Sequence, residues 1–539
     1  MRRWNGWGEE SIEVKLPHTA IRYLNDYLGS VHPEPDCSLD DVISLIPPSR
    51  LPPHPLISCD SEDRLRHSRG QSLPDWIALR SGKIDIFPDG VAYPKNEEEI
   101  KDLFTYSRQN AICLIPYGGG TSVVGHINPN QLDIPSVALD LSRLNNFHDL
   151  DKTSQIAKFG AGIRGPDLEQ RLHREGYTLG HFPQSFEYST LGGWVATRSC
   201  GQQSHYYGRI EDMFAGGQLI SPAGTIKLLP FPASAAGPDL RQIILGSEGR
   251  FGVLTEVIVR VKPLPEVEEF YGVFFHDWES GYKAVKEIAQ SDIPVSMLRL
   301  SDPEETQVTL ALSDDGKMVP LGKQVLKFLG YSQGYCLLIY AITARKKHAG
   351  NIRAAVSSIL RKNRGLGSGK FIGNKWRHTR FSTPYLRNSI WEYGLALDTL
   401  ETAVSWNQIR SLCQAVKGSI RNALSNQNEK VLVFSHLSHV YNYGASVYFT
   451  YLFRRSSDPG LTLHHWYIIK SAASQSILDY GGTISHQHGV GLDHIPYLSQ
   501  EKGQLGMQTL ENLSKTFDPD GILNPGVLIP DANKFRDER

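Results

Sequence analysis

The sequence predicts a mixed α and β protein of several domains, and three observations carry that expectation. Its 539 residues suggest about three or four folding units of roughly 150 residues each. Residues 91–116 read strand, helix, strand, the order of an α/β unit. Strand-like and helix-like segments then continue on both sides of a proline-marked linker, Pro263-Leu264-Pro265. With 40% hydrophobic and 21% charged residues, the composition is that of an ordinary globular chain with a sizeable core.

Taken in order, residues 1–80 are short on periodicity and punctuated by Pro33, Pro35, Pro47, Pro48, Pro52, Pro53 and Pro55. They predict an arm that wraps another domain. Val91-Ala92-Tyr93 reads as a strand, and Asn96–Gln109 as a helix with an apolar stripe of Ile100, Leu103 and Phe104. Ala111–Pro116 is a short buried strand running into a glycine loop. From about 137 to 261 more strands alternate with glycine-rich turns. Residues 266–510 form a second large region whose clearest strand is Val447–Phe453. The basic run 361–380, with Arg361, Lys362, Arg364, Lys370, Lys375, Arg377 and Arg380, reads as a solvated loop, or as a contact for anionic head groups.

Several classes are disfavoured. With 56 Lys+Arg against 57 Asp+Glu, net −1, the chain lacks the basic excess of a nucleic-acid binder. No run of roughly 18 apolar residues predicts a membrane span. Met1-Arg2-Arg3-Trp4 opens no secretory signal, and Arg536–Arg539 carries no peroxisomal or ER-retention address. Six scattered cysteines without a CxxC fit reduced, buried thiols. A soluble cytoplasmic enzyme is the expectation.

Three glycine loops compete for attention. Gly118-Gly119-Gly120, between Pro116-Tyr117 and Thr121-Ser122, lets backbone N–H groups converge on an anion because no Cβ intervenes; alone, it reads as a turn. Gly160–Gly165 is formally GxGxxG, but no apolar strand ending in an acid follows it, so it reads as a structural turn. Gly365–Phe371 fails as a P-loop, with Arg364 where the first glycine belongs and Phe371 in place of the Mg²⁺-holding Ser/Thr. The first loop has company in the small, hydroxyl-rich segments Ser189–Gly201 and Gly246–Thr255. Together they suggest one large phosphate-bearing cofactor held by backbone donors.

PYGGGTS, Ser189–Gly201 and GSEGRFGVLTEV resemble the FAD-binding domain of the vanillyl-alcohol-oxidase, or FAD-linked oxidase C, superfamily. Trp4–Gly8, Gly180–Trp194, Leu298-Arg299-Leu300, Gly444-Ala445-Ser446 and Ser485–Gly491 resemble, within it, the alkyldihydroxyacetone-phosphate synthase family. The resemblance covers nearly the whole chain. It implies an α+β fold: an arm at 1–80, a two-subdomain FAD-binding domain of PCMH type at 81–265, a larger α/β cap with an antiparallel sheet at 266–510, and a segment at 511–539 returning to the FAD domain. It implies non-covalent FAD, since 116–122 holds no histidine, bound by Pro116, Tyr117, Gly118, Gly119, Gly120, Thr121, Ser122, Gln184, Ser185, Ser189, Thr190, Gly193, Thr197, Arg198, Ser199, Cys200, Glu248, Gly249, Gly252, Val253 and Leu254. It implies catalytic roles for Tyr441, His486, His488 and His439, with Arg387 on a substrate phosphate and Arg299 beside it.

The implied reaction exchanges the acyl group of acyl-dihydroxyacetone phosphate for a fatty alcohol through flavin N5, with no net oxidation. The lipid substrate would need a tunnel in the 266–510 region, and Trp376, Phe381, Trp391 and Tyr393 are candidates for it. Peripheral membrane contact and a homodimer are expected. The runner-up is an FAD-linked dehydrogenase of a 2-hydroxy acid such as D-lactate or glycolate. A flavin-free binding protein stands third. The synthase family carries three consecutive histidines where this chain reads His486-Gln487-His488, and a carboxamide cannot relay a proton. Tyr441 is a base only where cations favour its phenolate. On a strand His486 and His488 would share one face; as an HxH pair they lack the third ligand a zinc site needs, so no metal is assigned.

Overall fold

The computed structural model describes residues 1–129, 134–312, 324–331 and 334–530. The C-terminal tetrapeptide and the end of the 511–539 segment lie outside them. The fold is α+β, with a part built on two sheets where the resemblance implies the FAD-binding domain, and a larger antiparallel cap.

The FAD-binding part holds two sheets. In the first, Gly90–Ala92, Ser136–Asp140 and Cys113–Tyr117 run parallel, with Ile57–Ser58 antiparallel at one edge. The helix Glu97–Asn110 supplies the crossover. Asn96 caps it by accepting the Glu99 N–H, three acids fill its first turn, and Ile100, Leu103 and Phe104 are buried. The second sheet is antiparallel, in the order Phe147–Asp151, Ile156–Gly160, Val253–Arg260, Phe214–Ser221, Gly224–Leu228. The chain's end comes back to the first sheet: Leu114 donates to the Ile522 carbonyl at 2.8 Å, and Asn524 to Leu114 at 2.9 Å.

The cap is built on seven antiparallel strands ordered Leu366–Gly367, Val267–Phe275, Cys336–Ala344, Val295–Ser301, Leu432–Tyr441, Gly444–Arg454, Leu395–Ser405. Its long central strands are buried along most of their length, which their apolar runs require.

The basic run 361–380 is folded, contrary to its reading as a loop. Arg361 and Lys362 end the helix Lys346–Lys362, and Lys370–Thr379 is another helix. Acids on the neighbouring strand and helix order it: Lys362 meets Glu287 at 2.8 Å, Lys370 meets Glu269 at 2.7 Å, and Arg377 meets Glu268 at 2.7 Å. Of the four aromatics considered for a tunnel, only Trp376 lines a cavity. Phe381 stacks on Phe186 at 5.1 Å, the buried Trp391 donates to Asp36, and Tyr393 donates to Asn25.

The N-terminal arm is clasped by both parts. Arg2 donates to the Gly119 carbonyl at 2.7 Å on the FAD side. On the cap side, buried Asn388 accepts the Trp7 N–H at 3.1 Å and donates to the Trp7 carbonyl at 2.9 Å. Asn388→Ala leaves both Trp7 groups unpaired and is expected to cost about 2–3 kcal/mol of unfolding free energy in urea titrations. An unchanged midpoint would show that the arm is not held there.

Candidate active site

One cavity of about 960 Å³ runs between the FAD-binding part and the cap. Its FAD-side wall is made by the three glycine-bearing segments found in the sequence. Pro116, Tyr117, Gly118, Gly119, Gly120, Thr121, Ser122, Gln184, Ser185, Ser189, Thr190, Gly193, Thr197, Ser199, Cys200, Glu248, Gly249, Gly252 and Leu254 all line it.

Two assigned cofactor contacts do not. Arg198 closes the helix Leu191–Thr197 in a left-handed conformation (φ 51°) and donates to the Leu245 and Gln242 carbonyls and to Glu211. Its guanidinium is a strut for the neighbouring helix ends. Val253 alternates to the opposite face of its strand and is wholly buried in the core of the first sheet.

The glycine triplet works differently from a bare platform. A Cβ on Gly119 would lie 1.9 Å from the Tyr188 carbonyl oxygen, and one on Gly118 2.6 Å from Thr190 Oγ1. The missing side chains let the loop dock against 188–190. Among the described residues, no intramolecular acceptor takes the N–H groups of Gly118 to Ser122. Amides left over at a cavity wall are what a diphosphate recruits, so the residues present fit FAD. The formal GxGxxG is the expected structural turn, since Cβ atoms on Gly160 and Gly162 would strike the carbonyls of Leu144 and Leu141.

The opposite wall contains His439, Gln487, His488, Arg387, Arg299, Asp398 and Tyr448. Arg299 is occupied: it meets Glu305 at 2.7 Å, His436 at 3.1 Å and Ser301 at 3.0 Å. Arg387 lies over the Trp76 ring at 4.4 Å and donates through Nη1 to Gln71. Its Nε and Nη2 are buried and have no partner. Burial lowers its pKa, with Asp398 opposing. This guanidinium therefore keeps two donors that an anion could take.

The four assigned catalytic residues divide. His439 and His488 face the cavity. Tyr441 and His486 lie outside its wall and bond to each other, hydroxyl to Nε2, at 2.7 Å. His486 and His488 are in an irregular loop, not a strand, so the shared-face argument does not apply. Burial pushes the Tyr441 hydroxyl further up, Cys200 adds to that, and Arg209 opposes it. These surroundings favour the neutral hydroxyl, hydrogen-bonded to His486. Burial pushes His439 down to about 3 and His488 down to about 4, with Glu401 opposing in both. Both are neutral imidazoles near pH 7, and an exposed lone pair can accept a proton.

The sequence reading missed Glu401, a wholly buried carboxylate on Leu395–Ser405 at the hub of these groups. Its Oε2 accepts from Gln487 at 2.5 Å; its Oε1 faces His486 Nδ1 at 3.2 Å and His439 Nε2 at 3.9 Å. Burial works to raise its pKa, but His486, His439 and His488 hold it well below the usual carboxylate range. The available signal was a pair of acids, Asp398 and Glu401, inside a strand.

Comparison with known proteins agrees with this geometry. The family described as FAD binding domain matches residues 88–229, and FAD linked oxidases, C-terminal domain, matches 264–528. The chain is 33% identical to an alkyldihydroxyacetonephosphate synthase of Dictyostelium discoideum over 530 residues, covering 97% of this chain and 85% of that protein. This chain belongs to the alkyldihydroxyacetonephosphate synthase family. A Caenorhabditis elegans relative of the same description is 30% identical over 98% of this chain and 95% of its own. A solved alkyldihydroxyacetonephosphate synthase superimposes with a TM-score of 0.84 at 29% identity, over 97% of this chain and 98% of that one. A 4-ethylphenol oxidase of Gulosibacter chungangensis, at TM-score 0.64 and 12% identity, shares the fold. As a family member the chain is an FAD-dependent enzyme.

Because the Gly119 position has no room for a methyl group, Gly119→Ala displaces the amide cradle. The variant is expected to purify folded with little bound flavin, read as the ratio of visible to ultraviolet absorbance. Full flavin occupancy would remove the loop from cofactor binding.

Proposed function

We propose that the protein exchanges the acyloxy group of acyl-dihydroxyacetone phosphate for a fatty alkoxy group, releasing fatty acid and forming an ether lipid precursor. The observation that carries this is the cavity's composition. The buried, unpartnered guanidinium of Arg387 shares one space with an apolar arm lined by Leu16, Ala20, Leu24, Leu310, Phe434 and Leu452. A phosphate ester bearing a long acyl chain satisfies both ends at once. The names of the relatives support the same reading.

The apolar arm is not built by the cap alone, since Leu16, Ala20 and Leu24 come from the N-terminal arm and its helix His18–Leu28. Bound FAD, held non-covalently, supplies an electron-rich centre at which one carbon–oxygen bond can replace another without net oxidation. Arg387 holds the phosphate. His488, neutral at the wall, would take the proton of the entering alcohol and pass it to the departing carboxylate, which leaves as the fatty acid and returns the imidazole to its neutral form. The apolar walls exclude the water that would compete with the alcohol.

Incubation with palmitoyl-dihydroxyacetone phosphate and hexadecanol should yield the hexadecyl ether and palmitate in equal amounts. Acid precipitation should leave the flavin in the supernatant. Arg387→Met should raise KM for the phosphate substrate roughly 10–100-fold, the range for losing a charge-assisted hydrogen bond. Bleaching of the flavin by D-lactate or glycolate without air, and no ether product, would overturn the proposal.

Among the described residues no helix is long and apolar enough to cross a membrane. We propose a cytoplasmic enzyme that collects its lipids by peripheral contact. Val325, Phe328 and Leu329 are exposed around cavity-lining Leu326, and Phe371 is exposed while lining the cavity itself. Such a patch at an opening suits a bilayer surface. Phe328→Glu with Phe371→Glu should abolish co-sedimentation with phospholipid vesicles while flavin content is retained. Undiminished co-sedimentation would reject this surface.

A further inference from the structure

We propose that Glu401, His439 and His486 form a binding site for one divalent transition-metal ion of the zinc class, beside the reaction cavity. One oxygen or nitrogen from each lies within 4.8 Å of the others, and all three residues are buried. The separations are 3.2 Å from Glu401 Oε1 to His486 Nδ1 and 3.9 Å to His439 Nε2. Ligand atoms about 2.1 Å from a tetrahedral zinc lie roughly 3.4 Å apart, so the triangle needs only a small closure.

The unused atoms are the ones a metal would take. Glu401 Oε1 and His486 Nδ1 are both buried and face each other at 3.2 Å without hydrogen-bond geometry. The other nitrogen of each histidine is already held. His439 Nδ1 lies 2.9 Å from Ser204 Oγ and 3.2 Å from Cys200 Sγ, and His486 Nε2 lies 2.7 Å from the Tyr441 hydroxyl. A histidine that donates its second N–H to such a partner presents a fixed lone pair on the first, the outer-shell arrangement of metal-bound imidazoles. Glu401 Oε2 is likewise fixed by Gln487.

Charge points the same way. Among the described residues, the ion-pair partners of the Glu401 carboxylate are these two histidines alone. A buried carboxylate requires a compensating cation, and a dication bound by two neutral imidazoles and one carboxylate provides it. Two nitrogens and one oxygen suit Zn²⁺ or Co²⁺ better than Mg²⁺ or Ca²⁺. The fourth position is left for water or another oxygen ligand. The pair His486/His488 is thus split, with His439 from the strand Leu432–Tyr441 replacing His488. The ion would pin the 486–488 loop to two cap strands.

The FAD-loaded enzyme, carrying Cys59→Ser to remove an exposed thiol, is to be incubated with Zn²⁺, desalted and analysed for metal. One zinc per chain is expected, with a Tm raised by Zn²⁺ as any ligand of the native state raises it. Glu401→Gln and His439→Asn should each weaken binding at least about tenfold and lose the Tm response while keeping flavin. Co²⁺ should give the visible ligand-field bands of a four-coordinate site in the parent and not in the variants. Less than stoichiometric zinc, or zinc retained equally by both variants, overturns the assignment and leaves Glu401 and His486 as a simple ion pair. Because the readouts are metal content and stability, the result does not depend on which reaction the enzyme catalyses.

Discussion

The contact between the glycine triplet and residues 188–190 governs the rest of the site. Two backbone segments approach until a single Cβ at Gly119 would overlap the Tyr188 carbonyl. That closeness turns the loop so that successive N–H groups are left without acceptors among the described residues. It also brings Tyr188 against the arm: Trp7 meets its ring edge-on at 5.6 Å, and Arg2 lies over it at 5.0 Å. Cofactor cradle, arm and cap interface are therefore one mechanical unit, and loosening any of them disturbs the amides that the cofactor needs.

The cap contributes a different constraint. An antiparallel sheet buried on both faces has nowhere to put charge except against other charge. Asp302 is sealed beside Lys417 at 2.7 Å, and Glu305 beside Arg299 at 2.7 Å. Asp398 accepts from Tyr451 and Trp466. Glu305 still keeps its Oε2 buried without a partner, as Glu401 keeps Oε1 and Arg387 keeps Nε and Nη2. The pairing of charge in this sheet is therefore incomplete where it borders the cavity.

Much of the FAD side was legible in the sequence, because its signals are local. Glycines at fixed offsets and a strand running into a loop can be read without knowing the partner segment. Arg198 and Val253 of the same motifs lie off the cavity wall, because a left-handed helix end turns one side chain away and strand alternation turns the other. The cap was less legible. Glu401 meets His486 across 85 positions of sequence, and no periodicity announces a hub made by strand neighbours. The basic run 361–380 misled for a related reason, since its neutralising acids lie about a hundred residues upstream. Likewise, nothing in Leu16, Ala20 or Leu24 reveals that the arm returns to wall a cavity between two other domains.

The two arginines carried over from the family show how the structure ranks residues that a motif treats alike. Both line the cavity. Arg299 has a carboxylate, a hydroxyl and an imidazole around it, so binding an anion there would require breaking an ion pair first. Arg387 has a carbonyl and an aromatic face, and its burial is opposed by the charges of Asp398 and Asp75 and by Tyr448. A guanidinium so desolvated is costly in the free protein, and the phosphate of the proposed substrate would offset that cost, because the two charges would share a low-dielectric space. The indole of Trp76 keeps the fork flat and in place while it waits. On the proposed function, recognition of the substrate's charged end is thus prepared by withholding a partner, and the apolar arm of the same cavity would decide what may be attached to that charge.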